Sequence, residues 1–202
     1  RSSYTSFLSY DESSALKELL HITASDMLCT KAGFYENGGF EPDIQTVKYK
    51  AKGHYGVHQD SWDPMQYPYE YSMSHFKDHR NGYWLNRHAT VLWYLNGARG
   101  GETWFPRASQ DVNGSTENEI WKPENDDFQS CNVKNGGILI PPQDAVLFYS
   151  LRADGTLDQH SWHGGCRVDD NVTEPKLIAN MWLWNYHQYF DGDGEEGEEE
   201  EK

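Results

Sequence analysis

Basic residues are scarce in this chain of 202: 17 Lys and Arg stand against 32 Asp and Glu, for a formal net charge of −15. Phosphate contacts need clustered Lys and Arg, so a nucleic-acid partner is not expected. Cysteine is scarcer still. Cys29, Cys131 and Cys166 show no CxxC spacing, which argues against a thiolate zinc site. Long apolar runs are absent too, and none approaches the roughly 20 residues that a helix needs to span a bilayer. The chain opens on Arg1 without a visible signal peptide and reads as an excised domain, with any membrane anchor expected outside it.

Aromatic residues, by contrast, are plentiful at 14%, with eight Trp and thirteen Tyr. Such side chains bring large burial per residue and argue for a packed body rather than a disordered one. The acidity is unevenly spread. Residues 191–202 hold eight acids and one Lys, so this stretch is predicted to be a solvated, disordered tail. Residues 1–190 are then long enough for one domain and short for two. Two sequons, Asn113-Gly114-Ser115 and Asn171-Val172-Thr173, lean toward a secretory compartment such as the endoplasmic reticulum.

Along the chain, residues 11–31 carry a helical pattern through Leu16, Leu19, Leu20 and Ile22, with Asp11 or Ser13 as cap and a break at Gly38-Gly39. From Ile44 the texture changes to short runs rich in Val, Ile, Tyr and Trp. The predicted strands are 44–51, 54–60, 89–96, 102–105, 137–140, 145–150 and 176–184. Two long connections, 61–86 and 107–135, interrupt them and suggest lids or excursions. Together these describe a helix-flanked antiparallel β-sandwich or barrel with loops crowding one end.

His58-Gln59-Asp60 is the chain's His-x-Asp. Residues two apart on a strand face one side, so imidazole and carboxylate converge on one ion. A second histidine, from the segment His160-Ser161-Trp162-His163-Gly164-Gly165-Cys166, would complete the two-His-one-carboxylate set typical of non-haem iron(II) oxygenases. Lys176 opens the nearly apolar run Lys176–Trp184. An inward lysine there needs an anionic partner, and a dicarboxylate such as 2-oxoglutarate is one.

At this point the chain resembles the prolyl 4-hydroxylase family, above all its plant, algal and transmembrane animal branches. The motifs that carry the likeness are Val47-Lys48-Tyr49, Gly53-His54-Tyr55 with His58-Gln59-Asp60, Arg87–Leu95, Gly100-Gly101-Glu102-Thr103, Phe148–Leu151, Asp154–Asp158 and His163-Gly164-Gly165-Cys166. The resemblance implies a double-stranded β-helix, a jelly-roll, cupin-like barrel. It implies Fe(II) held by His58, Asp60 and His163, in preference to His160. It also implies 2-oxoglutarate paired with Lys176 beside Thr103 and Tyr49, dioxygen as oxidant and ascorbate as reductant. Tyr55 and Arg87 match its peptide groove, Trp184 stands where collagen-type and algal members carry a His, and Cys131 with Cys166 would form a disulfide. The expected substrate is a proline-containing protein or peptide. Arg167 after Cys166, the extra residues 169–175 and Trp184 depart from the pattern and bear on the substrate. A same-fold oxygenase acting on another residue type or a small molecule, and a catalytically silent peptide-binding module, are the competing readings.

Overall fold

A computed structural model describes residues 2–8, 14–29, 43–63, 86–108, 131, 137–142 and 145–185. The predicted acidic tail, the proposed helix caps, Gly38-Gly39, the Asn113 sequon and most of the two long connections lie outside these residues. Nine strands and one α-helix are seen among them: β1 (Tyr4–Leu8), α1 (Ser14–Met27), β2 (Ile44–Tyr49), β3 (Tyr55–His58), β4 (Arg87–Asn96), β5 (Thr103–Phe105), β6 (Ile138–Ile140), β7 (Ala145–Tyr149), β8 (His163–Gly165) and β9 (Lys176–Trp184). All seven predicted strands are present, trimmed by up to two residues at either end, or extended at the start in the case of β4. Strands β1 and β8 were not foreseen. The first is short and mostly exposed, and the second is three residues with two glycines, so neither carries a hydrophobic period.

The strands form two antiparallel sheets, ordered β1-β2-β9-β4-β7 and β3-β8-β5-β6. Their pairing is nested. The hairpin β5–β6 lies innermost, followed outward by β4–β7, β3–β8 and β2–β9, with successive pairs alternating between the sheets. That is a double-stranded β-helix, as the family resemblance implied. No helix of the described residues is long and apolar enough to cross a membrane.

Side-chain alternation along the central strands separates two interiors. Ala89, Val91 and Trp93 of β4 and Ala179, Met181 and Leu183 of β9 pack against Leu20 and Ala24 of α1. Each large apolar side chain so buried contributes roughly 1.5–3 kcal/mol. Leu16, Leu20 and Ala24 are four residues apart and share the helix face that meets this sheet. Leu19 and Ile22 turn off that stripe and remain 60% and 47% exposed, so the predicted apolar face is narrower than the sequence suggested. The alternate residues of β4 and β9 point the other way, into the barrel.

Beneath the smaller sheet, Cys131 and Cys166 are joined by a disulfide packed with Trp104 and flanked by Val57 and Leu139. The link closes a loop of 35 residues, which in the chain-entropy view removes freedom from the unfolded state. The Cys131→Ser/Cys166→Ser protein is expected to lose about 2–4 kcal/mol of stability, read from urea titrations. An unchanged midpoint would mean that the bridge does not restrict the unfolded chain.

Candidate metal centre and cosubstrate pocket

The nested pairing of β3 with β8 brings His58, the last residue of one, directly opposite His163, the first of the other. Their rings lie 4.5 Å apart between centroids. Asp60 does not share the strand with His58, as the His-x-Asp spacing had suggested. The strand ends at His58 and Asp60 occupies the bend beyond it. Convergence is still achieved: Asp60 Oδ1 is 3.4 Å from His58 Nε2, and Oδ2 is 3.8 Å from His163 Nε2. One ligand atom from each of the three lies within 4.8 Å of the others.

Both rings are held the same way. His58 Nδ1 is 2.9 Å from the Gly56 carbonyl oxygen and His163 Nδ1 is 2.9 Å from that of Ser161. A carbonyl only accepts, so each neutral ring carries its proton on Nδ1 and turns a bare Nε2 lone pair toward Asp60. Burial pushes His163 down to about 4, against the opposing pull of the Asp60 carboxylate, so this ring is neutral at pH 7. Burial acts to raise the Asp60 carboxyl. Attraction to the His163 and His58 rings in their protonated forms, together with the Thr90 hydroxyl bond, outweighs it and holds the group well below the usual carboxylate range. The result is two lone pairs and one buried anion, its side chain 6% exposed, aimed at a common point. Such a donor set fits a divalent cation, and two His with one carboxylate fit iron(II).

Thr90 was not singled out from sequence. It sits on the inward face of β4, and its Oγ1 donates to Asp60 Oδ2 at 2.6 Å. A buried hydroxyl in the apolar run Ala89–Trp93 was the available signal, because such a group needs a partner.

Behind the three residues runs a narrow pocket whose wall is a ladder of cross-strand neighbours. Gln45 faces Asn180, Val47 faces Ile178 and Tyr49 faces Lys176. Thr103, Gly164 and Gly165 close the other side, with Tyr55 and His58 nearer the metal site. Lys176 is 1% exposed. Its Nζ lies 4.7 Å from the centroid of the Tyr49 ring and 5.5 Å from that of Tyr94, and no carboxylate among the described residues is within ion-pair distance. Burial lowers its pKa to about 8, while Glu102 acts weakly in the other direction. Gly101, at φ +67°, makes room for the aliphatic stem: a Cβ there would stand 3.0 Å from Lys176 Cδ. Thr103 shares a 2.6 Å hydrogen bond with the Tyr94 hydroxyl. Asn180 Nδ2 donates to Gln45 Oε1, whereas Asn180 Oδ1 is buried without a partner among the described residues. Gln45, Tyr94 and Asn180 escaped the sequence reading. Once Lys176 was placed on a strand, period two put Asn180 on its face.

At the other end of β9, Trp184 pairs in register with Arg87, whose guanidinium lies 3.6 Å from the centroid of the Trp182 ring. The Tyr55 ring stands 4.5 Å from His58. His160 points away from the cluster, 63% exposed and 3.2 Å from Asp158. Arg167 forms an ion pair with Asp170 in the added loop, away from the pocket.

Replacing Thr90 by Val is expected to weaken anaerobic Fe(II) binding about 10-fold, and Thr90→Ser should restore it. Equal affinity for all three proteins would remove Thr90 from the account of Asp60. A second expectation concerns Lys176. The unfolded chain keeps this proton up to about pH 10.5 and the folded one only to about 8. Its burial therefore costs the ligand-free protein most below pH 8, and the cost fades as pH rises to 10.5. Lys176→Met should then stabilise the ligand-free fold at pH 7 by up to roughly 3 kcal/mol, the gap to wild type narrowing toward pH 10.5. Thermal melts across this range test it, and a less stable variant at pH 7 would refute it.

Comparison with known proteins gives three findings. Residues 44–184 match the family model of the 2OG-Fe(II) oxygenase superfamily. The chain is 31% identical over 155 residues to probable prolyl 4-hydroxylase 8 of Arabidopsis thaliana, covering 76% of itself and 44% of that protein. It is 35% identical over 159 residues to the transmembrane prolyl 4-hydroxylase of Mus musculus, covering 71% of itself and 30% of that protein. It thus spans less than half the length of these curated relatives. In fold it is similar to the viral collagen prolyl hydroxylase of Paramecium Bursaria Chlorella virus-1 solved as a 2OG complex, with a TM-score of 0.57, 18% identity, and coverage of 93% of this chain and 82% of that one.

Proposed function

The chain belongs to the 2OG-Fe(II) oxygenase superfamily, and on that premise we propose that it hydroxylates prolyl residues of a protein or peptide while 2-oxoglutarate is decarboxylated to succinate and CO2. The observation that carries this reading is Lys176, a buried cation with no carboxylate partner among the described residues, in the pocket that ends at His58, Asp60 and His163. Burying such a charge without a counter-ion is costly, and a dicarboxylate entering the pocket supplies one.

In this reading His58, Asp60 and His163 hold iron(II), and the metal with its keto acid and dioxygen supplies the oxidising chemistry. The protein's share is geometric and electrostatic. Lys176 receives the distal carboxylate, Tyr49 and Thr103 orient it, and Tyr94 holds the Thr103 hydroxyl in place. Gly165, where a Cβ would stand 3.3 Å from the Tyr49 hydroxyl, leaves that phenol room to reach inward. Leu92, Val47 and Ile178 keep water from the buried part of the pocket. Tyr55, Arg87 and Trp184 line the approach of the peptide, with Arg87 fixed over Trp182.

Proline as the target rests on the names of the plant and mouse relatives, both prolyl 4-hydroxylases. A secretory compartment is supported by the Cys131–Cys166 disulfide and by the transmembrane mouse relative, and ascorbate as reductant follows from the family resemblance alone. One observation favours a second reading: Trp184 stands where collagen-type and algal members of the resembled family carry a His, which suits a non-proline residue or a small molecule.

Anaerobic loading with Fe(II) and 2-oxoglutarate, followed by a peptide library read by mass spectrometry, separates these readings. Proline peptides should stimulate succinate formation and gain one oxygen, with both signals falling to background in His58→Ala and Asp60→Ala. Oxygen gained only on non-proline targets would select the second reading, and failure to bind iron and keto acid would end both.

A further inference from the structure

The sequon Asn171-Val172-Thr173 lies in the loop that joins β8 to β9, among the extra residues 169–175. We propose that Asn171 carries an N-linked oligosaccharide, placed at the end of the barrel opposite Arg87 and Trp184.

Local geometry supports the acceptor. Asn171 and Thr173 are exposed on a turn, while Val172 between them is half-buried against the Val47, Tyr49 and Ile178 cluster. One inward side chain therefore anchors the tripeptide and presents the amide and the hydroxyl outward. The loop is tied on both sides, by the bridge between Val168 and Gly100 and by Asn96 Nδ2 donating to the Pro175 carbonyl at 3.0 Å. Glu174 rather than proline follows the sequon, and proline is absent from its middle position. An independent observation points to the compartment: the Cys131–Cys166 disulfide belongs to an oxidising environment, where oligosaccharide transfer also takes place.

The chemistry is a group transfer from a polyprenyl-pyrophosphate oligosaccharide. The Asn171 amide nitrogen bonds to the first sugar's C1, the C1–O bond to pyrophosphate breaks, and the lipid pyrophosphate departs with the electron pair. The amide proton passes to a base of the transferase.

Position decides the consequence. Asn171 precedes the Lys176 end of β9, while Arg87 and Trp184 meet at its other end. Nine residues of strand at about 3.3 Å each set the two ends roughly 25–30 Å apart. A glycan on Asn171 therefore leaves the Arg87 and Trp184 end of the peptide approach open.

The test uses full-length protein isolated from eukaryotic secretory cells, digested and treated with peptide N-glycosidase in 18O-water. The expected result is conversion of Asn171 to 18O-labelled aspartate, read on its own peptide so that Asn113 does not interfere. Thr173→Ser should keep the modification, Thr173→Ala and Asn171→Gln should lose it, and Asn171→Gln should leave succinate formation unchanged. Recovery of Asn171 unmodified in wild-type protein would overturn the proposal, as would its labelling in Thr173→Ala. Either failure would leave the hydroxylase reading intact, since that reading is tested by turnover.

Discussion

Strand β9 is hydrogen-bonded along both edges, to β2 and to β4, and the parity of that double pairing organises the molecule. Once Lys176 points into the barrel, Ile178 and Asn180 must follow, while Ala179, Met181 and Leu183 must meet helix α1. The same parity carries across register to Gln45, Val47 and Tyr49 on one side and to Thr90, Leu92 and Tyr94 on the other. A slip of one residue would place the lysine in the helix-facing core and an apolar row in the pocket. The apolar contacts with α1 thus do more than stabilise a sheet; they lock the register that aims the polar groups.

The metal site depends on a second relation, between the two sheets. His58 and His163 are fixed by strand pairing within the smaller sheet, but Asp60 lies past the strand end and gains no such support. Thr90, from the larger sheet, holds its carboxylate by a short hydrogen bond. The three groups are held electron-rich and close together, each histidine anchored at Nδ1 by a backbone carbonyl. Repulsion among them is relieved when a cation enters. The buried Lys176 presents the converse charge at the other end of the pocket. Folding without ligands leaves both ends unneutralised, and a metal with a dicarboxylate neutralises both.

Much of this was legible beforehand. The strands from Ile44 to Trp184 are rich in β-branched and aromatic residues and bounded by Gly, Pro and Asn, so their existence follows from local propensity. Lys176 betrayed itself as a charge in an apolar run. Strand β8 was not readable, because a three-residue segment with two glycines forms only where β3 and β5 flank it. Nor was the exposure of Leu19 and Ile22, since a helix's spacing limits the width of its buried stripe and the sheet beneath decides where that stripe lies.

By itself, the sequence determined the chemical inventory: the His-x-Asp, the histidines near the distal Gly-Gly, the lysine in its strand, and family motifs ordered along most of the chain. These are local facts, set by residue type and spacing. Only the tertiary structure decided that Asp60 leaves the strand, that Thr90 reaches it from the opposite sheet, and that Asn180 and Gln45 share the pocket. It also bore out the Cys131–Cys166 bridge that the family likeness implied, and placed Asn171 at the end of the barrel away from Trp184. Such relations join residues distant in the chain, and their geometry comes from register and sheet packing, to which no short window of sequence has access.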